Sequence, residues 1–335
     1  MASNIPKKFS AYRIDESESG HQSGLEQISL KDLNEGEVVI KTAYSSVNYK
    51  DALAGTGKGP ILRRFPLVGG IDIAGHVVSS KDKRFKEGDS VLVTGSDLSE
   101  NRDGGYAEYQ RLDARWVVPL PNGLSLREAM GIGTAGFTAA LSLWRMEQLG
   151  QSPDAGPVVV TGATGGVGML AIDLLTQAGY DAHAITGKVD EFEFLTSIGA
   201  RQCISRHDLV WGEKPLESAH WAGAIDNVGG DMLSGLTRVI KPWGNIASCG
   251  LAGGAGLRST VMTFIIRGVS LIGINSSGCP YTIRKELWDR LAKDWKPAQL
   301  DRIITNEIKL DELEATFDKM MAGKSFGRTV VKIGN

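Results

Sequence analysis

TGATGGVG, residues 161–168, follows the apolar run Pro157-Val158-Val159-Val160 and opens MLAIDLLTQAG, whose apolar residues recur at helical spacing. A short β-branched run, a glycine-rich turn and then a helix form the unit that begins a doubly wound parallel sheet. Such a turn aims backbone N–H groups and the positive helix end at a pyrophosphate. Glycine is required because a Cβ would block the turn or hold the phosphate away.

Beyond this turn, short apolar runs recur at DAHAIT (181–186), RQCIS (201–205), AGAIDNV (222–228), GNIASCG (244–250) and SLIGIN (270–275). Stretches of helix-compatible composition separate them, among them Asp190 to Ile198 and Asp231 to Ile240. Strands alternating with helical crossovers predict an α/β, doubly wound sheet, with ligand at the strand carboxyl ends where the strand order reverses. The ligand-facing turns are therefore expected at 161–168, 186–188, 227–229, 250–253 and 275–277.

Residues 1 to about 130 have another texture, with β-like runs VVIKTAYSSVN, IDIAGHVVSS, DSVLVTG and ARWVVPLP separated by Gly, Pro, Asp and Asn. That pattern predicts an all-β domain. A final β-like run, TVVKI, suits a strand returning to that domain's sheet, so the expected division is 1–130 with 280–335, and 131–279 inserted between them. Two such domains put a site in the cleft that separates them.

The chain has 335 residues, a formal net charge of −2 and no basic excess, so nucleic acid is not an expected partner. No apolar run approaches the roughly 20 residues of a membrane span, and the start lacks the apolar core of a secretory signal, so a soluble cytoplasmic protein is expected. Cys203, Cys249 and Cys279 lack CxxC spacing and the five histidines form no close pair, so neither a disulfide framework nor a metal site is expected.

The order of pieces resembles the medium-chain dehydrogenase/reductase superfamily, which joins a GroES-like β domain to a Rossmann domain. The resemblance spans nearly the whole chain. The segments SSVNYKDALAGTGKGPILRRFPLVGGIDIAGHV, GIGTAGFTAALSL, VVVTGATGGVG, ITGK, WAGAIDNVGG, CGLAGG and FGRTVVK are similar to its YhdH-type, quinone-oxidoreductase-like branch, which includes the acrylyl-CoA reductases of the AcuI type. Zinc alcohol dehydrogenases of the superfamily carry a Cys near Asn48 and Gly-His-Glu where this chain has Gly70-Ile71-Asp72, and the cysteine lobe of their structural zinc is missing from SDLSENRDGGYAEY. The departure favours the zinc-independent reductases, since alcohol oxidation uses the metal to acidify the hydroxyl.

NAD-specific Rossmann domains place an acid at the end of the second strand. Here that place reads Thr186-Gly187-Lys188, where a hydroxyl and an ammonium suit a ribose 2′-phosphate, and Arg206 after the third strand is a natural second cation. The resemblance implies NADPH at these positions, with the backbone of Thr164, Gly165, Gly166, Val167 and Gly168 on the pyrophosphate. It also implies Leu251, Ile265, Ser276 and Tyr49 near the nicotinamide half. Gly323 stands where relatives often contact the cofactor through an Asn, and a glycine there offers only its backbone.

The implied reaction is metal-free reduction of the C2=C3 bond of a 2-enoyl thioester such as acryloyl-CoA, with hydride to the β-carbon and a proton to the α-carbon, giving propanoyl-CoA. Charge developing on the thioester oxygen needs donors. Tyr49 is the first candidate to steer the substrate or deliver the proton, a role that water can also fill. Asn48, Lys50 and Asp51 share its motif as catalytic candidates, and Asp72 is expected to order the site by hydrogen bonding. Lys58, Arg63 and Arg64, in KGPILRR, are candidates for the CoA phosphates. Two other readings use the same fold: an NADPH quinone oxidoreductase, and a catalytically silent NADPH-binding protein of the lens-crystallin or regulatory kind. The apolar sixth strand, SLIGIN, would lie at a sheet edge, and the resemblance implies a homodimer paired through it.

Overall fold

The computed structural model describes residues 5–18 and 20–334. In chain order the strands and helices begin with β1 (Phe9–Ser17), β2 (Gly20–Ile28), β3 (Val38–Val47), α1 (Tyr49–Gly55), β4 (Leu67–Val68), β5 (Asp72–Ser80), β6 (Ser90–Thr94), β7 (Tyr109–Leu112), β8 (Val118–Pro119) and α2 (Leu126–Gln148). They continue with β9 (Val158–Thr161), α3 (Gly166–Gln177), β10 (Ala182–Thr186), α4 (Phe192–Ser197), β11 (Gln202–Ser205), β12 (Trp221–Asp226), α5 (Gly230–Val239), β13 (Ile240–Ser248), α6 (Val261–Arg267) and β14 (Ser270–Gly273). The last are α7 (Tyr281–Leu291), α8 (Leu300–Ile303), β15 (Ile304–Ile308), α9 (Leu313–Met321) and β16 (Arg328–Lys332). Among the described residues, no helix is long and apolar enough to cross a membrane.

The chain divides into two compact units. The first gathers residues up to Thr134, Ser277–Ala292 and the residues from Ile304 onward; the second is Ala135–Ser276 with Lys293–Ile303.

The second unit is the expected doubly wound sheet, six strands in the order β11-β10-β9-β12-β13-β14 with parallel neighbours. The β9 residues Val158–Thr161 are all buried, as a strand covered by helices on both faces requires. Val159, Ile185, Ala224, Leu236 and Ile246 fill one core beneath the crossovers. The chain leaves β9 first toward β10 and later returns to β12 on its other side, so the strand order reverses at the end of β9, where the glycine turn sits. Lys293–Ile303 was expected in the first unit, yet it packs with the second. Gln299 N–H donates to Asp173 at 2.9 Å, and Arg302 bonds Ser197 through both its carbonyl and its hydroxyl.

In the first unit a seven-stranded sheet runs β15-β16-β3-β5-β6-β8, with β7 paired to β3, and a smaller sheet runs β2-β1-β4. The hairpin β1–β2 was not among the expected strands. Phe9, Tyr12, Ile14, Tyr106 and Phe317 pack one core, and Ile40, Ile73, Val91 and Val93 another. The late strand β16 returns antiparallel to β3, setting Thr329 opposite Val47, immediately before the α1 turn. The helix α2 is interrupted at Gly133, whose φ of 51° and ψ of −159° break the helical path.

Candidate functional site

The residues predicted for the site are divided between the two units. In the second unit Gly162 has φ +59°, and the glycine turn runs straight into α3. A Cβ on Gly168 would stand 2.5 Å from Gly162 O and 2.7 Å from Ala163 Cα, so the helix lies directly on the turn because that side chain is absent. The hydroxyls of Thr164 and Thr186 meet at 3.2 Å, joining the turn to the end of β10. Lys188 N–H donates to the Thr186 hydroxyl at 3.1 Å, and Arg206 N–H to Thr186 O at 2.8 Å. A Cβ on Gly187 would stand 2.5 Å from Arg206 Nε, so the guanidinium lies across the glycine. Thr164, Thr186, Gly187, Lys188 and Arg206 are thus gathered at one strand end that carries a hydroxyl where NAD-specific domains carry an acid. Open backbone donors beside two cations fit an anionic dinucleotide with a phosphorylated ribose.

Next to this, a cavity of about 280 Å³ is lined by Gly229, Ser248, Cys249, Gly250, Leu251 and Ile274 among others, while Ile265 and Ser276 are not among its walls. Below it lies a residue whose part the sequence did not reveal. Asp226 at the end of β12 is buried, accepts the Thr161 hydroxyl at 2.7 Å and Gly229 N–H at 2.9 Å, and thereby ties the ends of β9 and β12 together. Burial raises its carboxyl above the usual range against the pull of those bonds. Asn227 joins the same lattice, its side-chain N–H donating to Thr161 O at 2.7 Å. A lone Asp within an apolar run, IDNVGG, was the available signal. Burial, aided by the Asp226 charge, pushes the Cys249 thiol up to about 12, which removes it as a nucleophile near neutral pH.

In the first unit Asn48 caps α1, its N–H donating to Asp51 Oδ2 at 2.9 Å. The Asn48 amide N–H₂ reaches Asp72 at 2.8 Å and Asp51 at 3.1 Å, and its oxygen accepts from Arg328 at 3.1 Å. Asp72 also accepts the Ser46 hydroxyl at 2.6 Å and both the N–H and hydroxyl of Thr134, the latter at 2.6 Å. Asp51 is fully buried and accepts Ile71 N–H at 3.0 Å. Burial first, and the Asp72 charge second, push its carboxyl up to about 7. Tyr106, buried beside both acids, is raised well above its ordinary value and donates to Ser46 O at 3.0 Å.

Within the predicted quartet Tyr49, at the first position of α1, is the most exposed, at 41%, with Asn48 and Lys50 half-buried and Asp51 buried. Lys50 is ion-paired with Glu100, and Asn48 and Asp51 are committed to the interior. In the cation loop Lys58, Arg63 and Arg64 are all exposed, and Arg64 in addition donates to Asn101 O and Asn34 Oδ1 at 2.8 Å and lies 3.5 Å from Asp103, tying loops together. Gly323, at φ +71°, follows the end of α9 and donates to Met320 O at 2.9 Å. A left-handed helix stop accounts for that glycine without a ligand.

Two family models match the chain, the alcohol dehydrogenase GroES-like domain over residues 34–122 and the zinc-binding dehydrogenase over residues 166–293. The donors do not suit the metal in the second description. Asp72 is saturated by hydrogen bonds, a guanidinium stands beside Asn48, and among the described residues no group of three or more His, Cys, Asp or Glu could hold a metal ion. YhfP of Bacillus subtilis, whose given name is that of a quinone oxidoreductase, is 46% identical over 97% of this chain and 99% of its own. Its crystal structure with NAD bound superposes with a TM-score of 0.93 over 98% of this chain and all of that one. The acrylyl-CoA reductase AcuI of Ruegeria pomeroyi is 43% identical over 97% and 99% of the two chains. The crystal structure of the yhdH oxidoreductase from Salmonella enterica in complex with NADP gives a TM-score of 0.94 at 43% identity, covering 97% of this chain and 100% of that one.

Proposed function

We propose, for a chain that belongs to the medium-chain dehydrogenase/reductase superfamily and within it to the YhdH/AcuI branch, that it is an NADPH-dependent reductase of 2-enoyl thioesters. Acryloyl-CoA is the proposed substrate and propanoyl-CoA the product. The observation that carries the cofactor is the grouping of Thr186, Lys188 and Arg206 at one strand end against the glycine turn. NADP in the Salmonella relative supports it, and 43% identity to an acrylyl-CoA reductase supports the thioester.

When bound, NADPH supplies the hydride for the β-carbon. In this reading Thr186, Lys188 and Arg206 hold the 2′-phosphate, the backbone of Thr164 to Gly168 holds the pyrophosphate, and Leu251 borders the nicotinamide half together with Ile265 and Ser276. Gly323 has no proposed side-chain part. Tyr49 touches the reactants, steering the enoyl group or delivering the α-carbon proton, while Asn48, Lys50 and Asp51 support it from behind. Among the basic residues, Lys58 and Arg63 are assigned to the CoA phosphates. Arg64 is given a structural task, because its guanidinium is already taken up by Asn101, Asn34 and Asp103.

Comparing NADPH oxidation with acryloyl-CoA, free acrylate, crotonyl-CoA and a benzoquinone tests the reading. Acryloyl-CoA should give a kcat/KM well above the rest. A preference for the quinone, the reading favoured by the name of the Bacillus relative, would overturn the thioester assignment. Arg63→Ala should raise the KM for the thioester but not for NADPH, and equal values before and after would remove Arg63 from the CoA site.

A homodimer is part of the proposal. The edge strand β14 directly follows α6, where Val261, Ile265 and Ile266 are 66%, 77% and 62% exposed, an apolar strip beside the edge of the sheet. Light scattering at micromolar concentration should give twice the chain mass; a monomer contradicts it.

A further inference from the structure

We propose that Arg328 is a positioning residue for the reduction: its buried guanidinium fixes the Ser46-Val47-Asn48 segment, and thereby the placement of Tyr49. The inference rests on the role assigned to Tyr49 above. No hydrogen bond holds the Tyr49 side chain among those described, so its location is inherited from the turn that precedes it. Arg328 reaches every residue of that segment. Arg328 donates through Nη1 to Val47 O at 3.0 Å and to Asn48 Oδ1 at 3.1 Å, and through Nη2 to the Ser46 hydroxyl at 2.8 Å. Its Nε reaches Gly131 O at 3.0 Å. Three consecutive residues before Tyr49 thus share one cation.

The charge matters as well as the shape. The Asn48 amide has the guanidinium on its oxygen side and the carboxylates of Asp72 and Asp51 on its nitrogen side, so the field fixes which way the amide faces. The Ser46 hydroxyl relays the same polarity, accepting from Arg328 and donating to Asp72. A neutral, well-packed substitute for a buried ion cluster is often as stable or more so, which leaves stability a weak reason for keeping a charge here. The fold also interrupts a helix to make room: a Cβ on Gly133 would stand 2.7 Å from both Arg328 Nη2 and Asp72 Oδ2. Arg284, bonded to Thr94 O at 2.7 Å and Ser277 O at 3.0 Å, adds a second buried cation near Asp72.

The test uses the full chain labelled with 3-fluorotyrosine, the Tyr49 fluorine line being assigned by its loss in Tyr49→Phe. Without cofactor or substrate, Arg328→Gln and Asn48→Ala should shift or broaden that line, and Arg328→Lys should recover part of the wild-type position. In turnover with NADPH and acryloyl-CoA, Arg328→Gln should lower kcat about tenfold or more, because small misplacements of a reacting group are costly, with the KM for NADPH held within about twofold. A folded Arg328→Gln protein with an unchanged Tyr49 line overturns the proposal whatever its turnover. If that variant does not fold, unshifted lines in both Arg328→Lys and Asn48→Ala overturn it instead. A shifted line in a protein whose wild type reduces none of the acceptors supports the positioning and retires the reductase reading alone.

Discussion

The glycine turn at 162–168 and the Asn48–Asp51 turn both open a helix, and they are built by opposite means. The first works through missing side chains: Gly168 lets α3 sit on the turn and leaves the backbone donors uncovered. The second works through side chains: Asn48 and Asp51 bond each other, and Asp72, Arg328 and the Ile71 N–H reach them from elsewhere in the chain. Backbone donors at a helix start are already oriented, so they need only to be left open. Buried charges must be assembled into a closed set before they are tolerable.

The largest effect should come from opening that closed set. Asp72→Ala removes the acid that Ser46, Asn48 and Thr134 all reach and leaves Arg328 short of countercharge, so denaturant unfolding should show a loss of about 3–5 kcal/mol. A loss below 1 kcal/mol, on the scale of an exposed pair, would contradict the importance of the cluster.

Asp51 tests the same side through pH. Unfolded, it releases its proton near 3.8; folded, it holds it to about 7. The folded state therefore binds more protons between these values. Its contribution is fully present below about pH 4 and is lost as pH rises through about 7, by roughly 4 kcal/mol in all. Denaturation across pH 4.5–8 should show this decline superimposed on other titrations, and Asp51→Asn should lack it. Parallel curves for the two proteins would place the proton elsewhere.

On the glycine side, Gly168→Ala should cost about 1–3 kcal/mol, since the added Cβ meets backbone atoms that cannot swing away. Thermal unfolding of cofactor-free protein reads this directly, and an unchanged melting temperature would mean that α3 can lift off the turn. The smallest effect belongs to Lys188→Ala combined with Arg206→Ala. These partly exposed cations should together change the KM for NADPH by about tenfold, near 1.4 kcal/mol, while leaving that for NADH and the stability alone. A matched rise for both nicotinamides would transfer the 2′-phosphate to other residues.

The same contrast explains what could be read in advance. The glycine turn, the strand order around it and the approach of Lys188 and Arg206 to Thr186 follow from local spacing, because each strand end is set by residues close to it in sequence. Tyr49 was named through resemblance, and the structure adds that it is the most exposed residue of its motif. The cluster behind it was illegible for a physical reason. Asp51, Asp72 and Arg328 are ordinary charged residues in the sequence; the start of β5 brings Asp72 to the turn that holds Asp51, and the return of β16 beside β3 brings Arg328. At Arg64, named for its basic loop, and Gly323, named through resemblance, the structure adds hydrogen bonds to neighbouring loops and a helix stop, neither of which shows in the local sequence.

The position of β16 also orders events during synthesis. The second unit is nearly one continuous stretch of chain, whereas Ser46 and Arg328 are hydrogen-bonded across 282 positions of sequence. On the ribosome the acids of the first unit emerge long before their cation, and pairing over such a separation is slow. Asp51 and Asp72 must stay hydrated through that interval, with β3 left as an open edge. The first unit consequently cannot complete its sheet until its last strand is made, whereas all of the second unit precedes that strand in the chain.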